Sequence, residues 1–154
     1  VKLNTGEEGY VTDITWRDTA IKALSNNMII VPNSKLAAAI ITNYYLPEKE
    51  VSVAIQVSMG YENDLEKVER VTLEVARKVL TIVPGCVPAV EPLLRYQALG
   101  ELGIYFTVIL RAREFVDQYL IKHQFIKMLH ERYKEEGIQP LSPMNRIFIK
   151  EKSE

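Results

Sequence analysis

The sequence lacks the cysteines that a disulfide framework requires, because Cys86 is the only cysteine among 154 residues. A single thiol cannot form an internal disulfide, which fits a reducing compartment. No stretch approaches the run of about 18 apolar residues that spans a membrane. The chain also opens without a signal peptide or an initiator methionine, so we expect it to be a piece of a longer protein.

The sequence has no excess charge of either sign, with 19 basic and 20 acidic residues and a net charge of −1. A dedicated nucleic-acid binder usually carries a basic excess or a basic stripe. An RNA-reading sheet also exposes aromatic rings on its central strands. Residues 51–58 contain no aromatic residue, and Tyr105 and Phe106 are adjacent and so face opposite sides of a strand. We therefore expect no nucleic-acid partner.

Catalytic and cofactor motifs are missing as well. The sequence contains no dinucleotide-binding or phosphate-binding glycine loop, no HExxH, no GxSxG and no CxxC. Its only histidines, His123 and His130, lie seven residues apart on a predicted helix. That spacing is about 10.5 Å, too far for both to bind one metal ion. The acidic residues are typical of solvated helix faces. We expect no enzyme activity, no metal site and no cofactor.

What is present begins with short β-rich runs. A tight turn at residues 25–27 and a helical turn from Ser34 to Ala38, capped by Asn33 or Ser34, interrupt them. Short strands without a long helix indicate a small barrel. The charged, proline-containing residues 46–50 are typical of a linker. The predicted strands of this part are residues 9–16, 18–24, 28–31 and 40–45.

The second part has longer elements. Residues 51–58 alternate between apolar and small or polar side chains, as in a half-buried strand. An amphipathic helix follows, capped by Asn63 or Asp64, and ends at Pro84-Gly85. The order β-α-β-β-α-β is the ferredoxin-like pattern, although the last strand can instead leave the domain and pair elsewhere. The remaining predicted elements are strands 91–99 and 104–113, helix 117–136 and strand 146–150. The apolar face of the first helix includes Leu65, and that of the second is the ladder Ile121, Phe125, Leu129 and Tyr133.

Two segments of the first part resemble the small-conductance mechanosensitive (MscS) channel family. The stretch GYVTDITWRDTAI, residues 9–21, resembles the family pattern G-x-V-x-[DE]-I-x-x-R-x-T-x-[IL]. The stretch NMIIVPNSK, residues 27–35, resembles the family segment that ends in P-N-x-x. Looser likenesses are YEND at 61–64 and EGIQP at 136–140. The candidate site residues that these segments supply are Gly9, Arg17, Thr19, Pro32, Asn33 and Asn43, the last where the family leaves its β domain.

The resemblance implies a fold class and a domain plan. It implies an α+β chain, with a small Sm-like β-barrel domain over residues 1–46 whose N-terminal part is missing. A ferredoxin-like α/β domain follows over residues 47–143. Residues 144–154 then form a C-terminal strand that serves assembly. In the family, seven subunits close a ring beneath a membrane pore, and their soluble domains form a hollow cage with side portals.

The same resemblance implies a function and roles for residues. Membrane tension opens the pore under osmotic stress, and ions and small solutes leave the cell. This chain would be the cytoplasmic vestibule of a homo-heptamer held in the cell membrane by preceding helices. Arg17 pairs with a carboxylate or reaches a neighbouring subunit. Glu48, Lys49 and Glu50 line a portal or form a solvated linker. The competing interpretation is a soluble module that binds a ligand or a partner with the same two domains.

Overall fold

The computed structural model describes residues 1–141, and they fall into two compact units. One unit is Val1–Val51 and the other begins at Ser52. Helices and antiparallel strand pairs occur together, so the predicted α+β class is confirmed. Over the described range, no helix is both long and apolar enough to cross a bilayer. The predicted strand 146–150 and the proposed assembly segment 144–154 lie outside the described residues.

The first unit contains two antiparallel sheets and one short helix. The larger sheet has the strand order β2-β3-β4, and the smaller one pairs β1 with β5. On β3 the alternation of side chains buries Thr19 and Ile21, whose partners across the ladder are Val31 and Ile29 of β4. The elements are β1 (Lys2–Leu3), β2 (Gly9–Ile14), β3 (Asp18–Ala23), β4 (Met28–Pro32), α1 (Asn33–Ala38) and β5 (Ile41–Thr42).

Four details of the first unit differ from the sequence prediction. Strand β2 ends at Ile14 rather than at residue 16, because a turn begins at Thr15. Helix α1 starts at Asn33 and has no side-chain cap, so the predicted cap by Asn33 or Ser34 is wrong. The side chain of Asn33 bonds back towards the sheet instead. The predicted strand 40–45 is only Ile41–Thr42, and the two-residue partner β1 was not predicted.

Up to residue 141, the second unit packs two helices and a three-stranded sheet. The strand order is β6-β8-β7. This order and the succession of elements match the first five members of the ferredoxin-like pattern. The elements are β6 (Val51–Met59), α2 (Leu65–Ile82), β7 (Leu93–Leu99), β8 (Ile104–Ala112) and α3 (Asp117–Glu136).

The core of the second unit follows the predicted periodicities. Alternate residues of β6 and β8 are buried, and so is every fourth residue of α3. Each large apolar side chain removed from water contributes about 1.5–3 kcal/mol. Leu65 was expected on the buried face of α2, but it opens the helix and stays exposed. The ladder on α3 is Ile121, Phe125, Leu129 and Tyr133.

Both long helices have defined ends. Asp64 caps α2, and its side chain accepts a hydrogen bond from the Lys67 amide at 2.9 Å. Helix α3 ends at Gly137, whose φ of 68° is in the left-handed region that favours glycine. The amide of Ile138 then donates to the carbonyl of Tyr133 at 2.9 Å, which satisfies a carbonyl of the last turn.

Candidate functional site

Asn33 joins the end of β4 to the turn between β2 and β3. Its side-chain oxygen accepts a hydrogen bond from the Thr19 hydroxyl at 2.7 Å, and its side-chain amide donates to the Thr15 carbonyl at 2.9 Å. The backbone amide of Asn33 donates to the Arg17 carbonyl at 2.7 Å. Pro32 lies opposite Asp18 in the same ladder. The fold therefore brings Arg17, Thr19, Pro32 and Asn33 together, although they come from two sequence segments.

The turn itself is held by Thr15. Its amide and its hydroxyl both donate to the carbonyl of Asp18, at 2.8 and 2.9 Å. The same hydroxyl accepts from the amides of Arg17 and Asp18, at 3.3 and 2.9 Å. A threonine at a turn commonly satisfies backbone groups in this way. Together with Asn33, these bonds fix the backbone of residues 15–18.

The side chains at this turn point into solvent. Trp16 is 86% exposed and Ile14 is 69% exposed. The guanidinium of Arg17 lies over the indole ring, 5.2 Å from its centre, which is a cation–π distance. Sequence reasoning treated Trp16 only as part of a strand. Its position as the only tryptophan, directly before the motif arginine, was the signal that could have identified it.

Gly9 lies at the opposite end of β2 from this turn. It is buried and pairs with Ala23 of β3. A Cβ atom added at Gly9 would lie 2.2 Å from the carbonyl oxygen of Lys22, so the neighbouring strand leaves no room for a side chain. Close packing of the two strands therefore explains why a glycine occupies this position. The fold does not bring Gly9 to the residues that Asn33 contacts.

The other candidate site residues, Asn43 and the charged residues 48–50, follow β5 in the chain. The side-chain oxygen of Asn43 accepts a hydrogen bond from the Tyr45 amide at 2.9 Å, which forms a local turn after β5. Glu48, Lys49 and Glu50 are exposed, and the Lys49 ammonium lies 4.8 Å from the centre of the Tyr45 ring. These residues form an accessible loop that carries two negative charges and one positive charge.

In the second unit, Asn63 binds the chain that leaves α3. Its side-chain amide donates to the carbonyls of Gly60 and Gln139, at 3.0 and 2.8 Å, and its side-chain oxygen accepts from the Gln139 amide at 2.9 Å. Met59 and Pro140 form an antiparallel bridge beside it. This contact brings the two looser family likenesses, residues 61–64 and 136–140, together.

In the second unit, burial raises the pKa values of Tyr133 and Cys86, among others. Burial raises the pKa of Tyr133 to about 12, and its hydroxyl shares a 2.6 Å hydrogen bond with the Thr72 hydroxyl inside the core. Burial also raises the pKa of the Cys86 thiol, which makes this cysteine a poor nucleophile. His123 and His130 are both exposed on α3.

The acidic and histidine side chains of the described residues form no metal-binding cluster. Within residues 1–141, no three His, Cys, Asp or Glu side chains gather at metal-binding distance. The charged residues of α2 and α3 bind one another, with Arg132 contacting Glu74 at 3.3 Å and Glu136 at 2.9 Å. The Arg132–Glu74 pair links α3 to α2, whereas the Arg132–Glu136 pair lies within α3. Both pairs stay in contact with solvent, so they contribute little to stability.

Comparison with known proteins finds similarity to mechanosensitive channels. Residues 1–46 match the family model described as "Mechanosensitive ion channel, beta-domain". Two relatives come from Methanocaldococcus jannaschii, the small-conductance mechanosensitive channel MscMJ and the large-conductance mechanosensitive channel MscMJLR. They are 25% and 28% identical over 145 and 155 residues, which is 94% and 95% of this chain. The chain spans about two fifths of their length, 41% of each.

Solved structures show the same fold. The closed-state MscS of Helicobacter pylori superposes with a TM-score of 0.74 at 18% identity, over 97% of this chain and 56% of that one. MSL1 of Arabidopsis thaliana gives a TM-score of 0.64 at 14% identity, over 91% of this chain and 51% of that one. This fold therefore occurs within longer chains, of which this chain covers about half.

Proposed function

We propose that this chain is a domain of the MscS family of mechanosensitive channels and that it forms the cytoplasmic vestibule of a channel that membrane tension opens. The observation that carries the proposal is the match of residues 1–46 to the channel β-domain, joined to a fold likeness that extends over 97% of the chain. In this role the chain binds no substrate and catalyses no reaction. It surrounds the path that ions and small solutes take on leaving the cell.

Exposed apolar side chains of the first unit support an assembled state. Met28 and Ile30 of β4 are 56% and 67% exposed, and Ile40 is 76% exposed. A small unit has too little interior to bury all of its large apolar side chains. Side chains left exposed in this way indicate a surface that another molecule covers. We propose that copies of the chain cover part of this surface in a closed ring, with seven subunits as the family resemblance implies. A closed ring leaves no unpaired surface at its ends.

The position at the membrane and the portals belong to the same proposal. Membrane-spanning helices of the complete protein would anchor the ring in the cell membrane, with this chain on the cytoplasmic side. The exposed loop of Glu48, Lys49 and Glu50 would border the side portals, where its charges act on passing ions. A charged rim biases the local concentration of ions within about a Debye length.

A cleft in the first unit supports the competing proposal of a ligand-binding module. The cleft has a volume of about 340 Å³ and lies between α1, β4 and the residues around β1, with Leu3, Val31 and Leu36 among its lining. This volume is at the lower end of the range for small-molecule sites. A metabolite that binds the isolated chain stoichiometrically, with no channel activity in the complete protein, would favour this alternative.

Survival of a sudden fall in osmolarity tests the channel proposal. The complete protein is produced in bacterial cells that lack their own mechanosensitive channels, and the cells are diluted from high-salt medium into water. We expect survival to rise well above that of cells carrying an empty vector. A matched protein without residues 1–141 is the control for the contribution of this chain. Survival equal to that of the empty vector, with the complete protein present in the membrane, would contradict the proposal.

A further inference from the structure

We propose that the turn of residues Ile14–Arg17, here called the Trp16 tip, contacts the phospholipid headgroup layer of the membrane in which the channel lies. This inference rests on the proposed function, because that function places the chain beneath a bilayer. It adds a lipid-contact site at residues to which the proposed function assigns no role.

The first observation is the exposure of the tip. Trp16 is 86% exposed and its neighbour Ile14 is 69% exposed, at the end of a β-hairpin. Tryptophan is costly to leave in water, because its side chain carries a large apolar surface. A free-standing indole at a hairpin end therefore indicates a surface that becomes covered.

The second observation is that this exposure is built into the fold. Thr15 makes hydrogen bonds at 2.8 to 3.3 Å across the turn, and Asn33 binds the carbonyls of both Thr15 and Arg17. The backbone beneath the indole is thus fixed before any contact forms. A pre-organised contact loses little conformational entropy when it binds.

The third observation is the chemistry of the tip. Indole combines an apolar ring with one N–H donor, and tryptophan is enriched where a bilayer meets water. The guanidinium of Arg17 lies 5.2 Å from the centre of that ring, and a guanidinium matches the geometry of phosphate oxygens. The tip therefore presents an apolar ring and a phosphate-binding group side by side. A phospholipid surface offers a matching pair, an acyl boundary and the headgroup phosphates above it.

The charges around the tip specify the kind of lipid contact. Asp13 and Asp18 flank Arg17, so this region has no net positive charge. The Asp13 carboxylate accepts the Ile14 amide at 2.9 Å, and Asp18 is half-buried. The tip therefore has no net positive charge that would attract anionic lipids over zwitterionic ones. The expected partner is the phosphate group that zwitterionic and anionic headgroups share, together with the acyl boundary below it.

Trp16 is the only tryptophan, so its fluorescence reports on the tip alone. The chain is mixed with a large excess of vesicles made of phosphatidylcholine, or of phosphatidylcholine with phosphatidylglycerol. We expect a blue shift of the emission and protection from iodide quenching, of similar size with both vesicles. Inorganic phosphate without lipid should produce neither effect.

Single substitutions distinguish the contribution of the Trp16 indole to vesicle binding from that of the Arg17 guanidinium. In vesicle co-sedimentation, Trp16→Ala should lower the partition coefficient at least about tenfold, because most of the buried apolar area is lost. Arg17→Gln should weaken binding less and equally for both lipids. Leu24→Ala, which changes an apolar residue 46% exposed at the far end of β3, is the control and should bind like the unchanged chain. Circular dichroism checks that each variant folds.

Two results would overturn the lipid contact. One is emission that stays unchanged in vesicle excess. The other is a blue shift that appears without lipid as the protein concentration rises, which would assign the tip to a protein–protein contact. Neither result bears on osmotic survival of cells carrying the complete protein, so failure of this inference and failure of the channel proposal are distinguishable.

Discussion

The Thr19 hydroxyl donates a 2.7 Å hydrogen bond to the side-chain oxygen of Asn33, fourteen residues away in sequence. Thr19 is only 5% exposed, so its hydroxyl depends on this partner rather than on water. The bond connects the two most specific family segments of the sequence, one ending β4 and the other beginning β3. Both segments therefore serve one structural feature, because Asn33 holds the turn that carries Trp16 and Arg17.

Asn33→Ala should destabilise the first unit. The substitution removes the donor to Thr15 and leaves the buried Thr19 hydroxyl without its acceptor. A buried polar group left unsatisfied costs about 1–3 kcal/mol. Differential scanning calorimetry should show a lower Tm. The neighbouring Ser34→Ala, at an exposed position, is the control and should change stability by less than about 0.5 kcal/mol. Equal effects of both substitutions would show that the Asn33 side chain is not what holds the turn.

Gly9→Ala should also destabilise the first unit, but through a steric clash. The new Cβ atom would meet the Lys22 carbonyl at 2.2 Å, so the two strands must separate. Overpacking of this kind costs about 1–3 kcal/mol. At Gly137 no atom lies within 4 Å, and alanine there meets only the strain of a φ of 68°, about 1 kcal/mol. Urea unfolding curves of both variants compare the two costs. A Gly9→Ala chain as stable as the unchanged one would contradict the close approach of β2 and β3.

The sequence predicted most of the second unit because its periodicities are long. Residues 51–58 keep a period of two, and Ile121 to Tyr133 keep a spacing of four, so the strand, the helix and their buried faces were identified correctly. Leu65 was misplaced because the first residue of a helix can fit the apolar pattern without reaching the core.

The first unit was harder to predict because its structure depends on single hydrogen bonds. Asn33 fits the preferences of a helix cap, and only the bonds to Thr15 and Thr19 show that its side chain serves the sheet. The two-residue strand β1 has no periodicity to detect. The fold brings Arg17, Thr19, Pro32 and Asn33 together, and their functional role stays a prediction. The exposure of Trp16 depends on a turn whose position no pattern specified.

Stability should fall between about pH 10 and pH 12, and Tyr133→Phe should lessen this fall. Burial raises the pKa of Tyr133 to about 12, whereas an unfolded tyrosine ionises near pH 10. The folded state therefore binds more protons than the unfolded state in this interval, so its advantage is lost as the pH rises. The loss is of the order of 1–3 kcal/mol.

Urea unfolding at pH 8, 10 and 11.5 measures this alkaline loss. At pH 8 the Tyr133→Phe chain should already be less stable, because Thr72 loses its partner in the core. Its further decline with pH should be shallower than that of the unchanged chain. Tyr61→Phe, which removes an exposed tyrosine, is the control. A parallel decline of the unchanged and Tyr133→Phe chains would show that ionisation of Tyr133 is not responsible.

The charges of the proposed portal should influence ion preference. Glu48→Gln combined with Glu50→Gln removes two exposed negative charges and leaves Lys49. If this loop borders the path of ions, the complete channel should become more permeable to anions relative to cations. The measurement is the reversal potential under a salt gradient, and the effect should shrink at high ionic strength. Glu66→Gln combined with Glu69→Gln, on the exposed face of α2, is the matched control. Identical reversal potentials in all three proteins would remove the loop from the ion path.

Patch-clamp recording of the complete protein in liposomes tests the channel role most directly. Suction on the patch raises membrane tension without changing voltage or ligand. If the protein is a tension-gated channel, we expect discrete current steps whose open probability rises with suction and falls when suction is released. The protein without residues 1–141 should lose these steps or show them with altered conductance. Patches that contain the complete protein but show no suction-dependent current would contradict the proposed channel function.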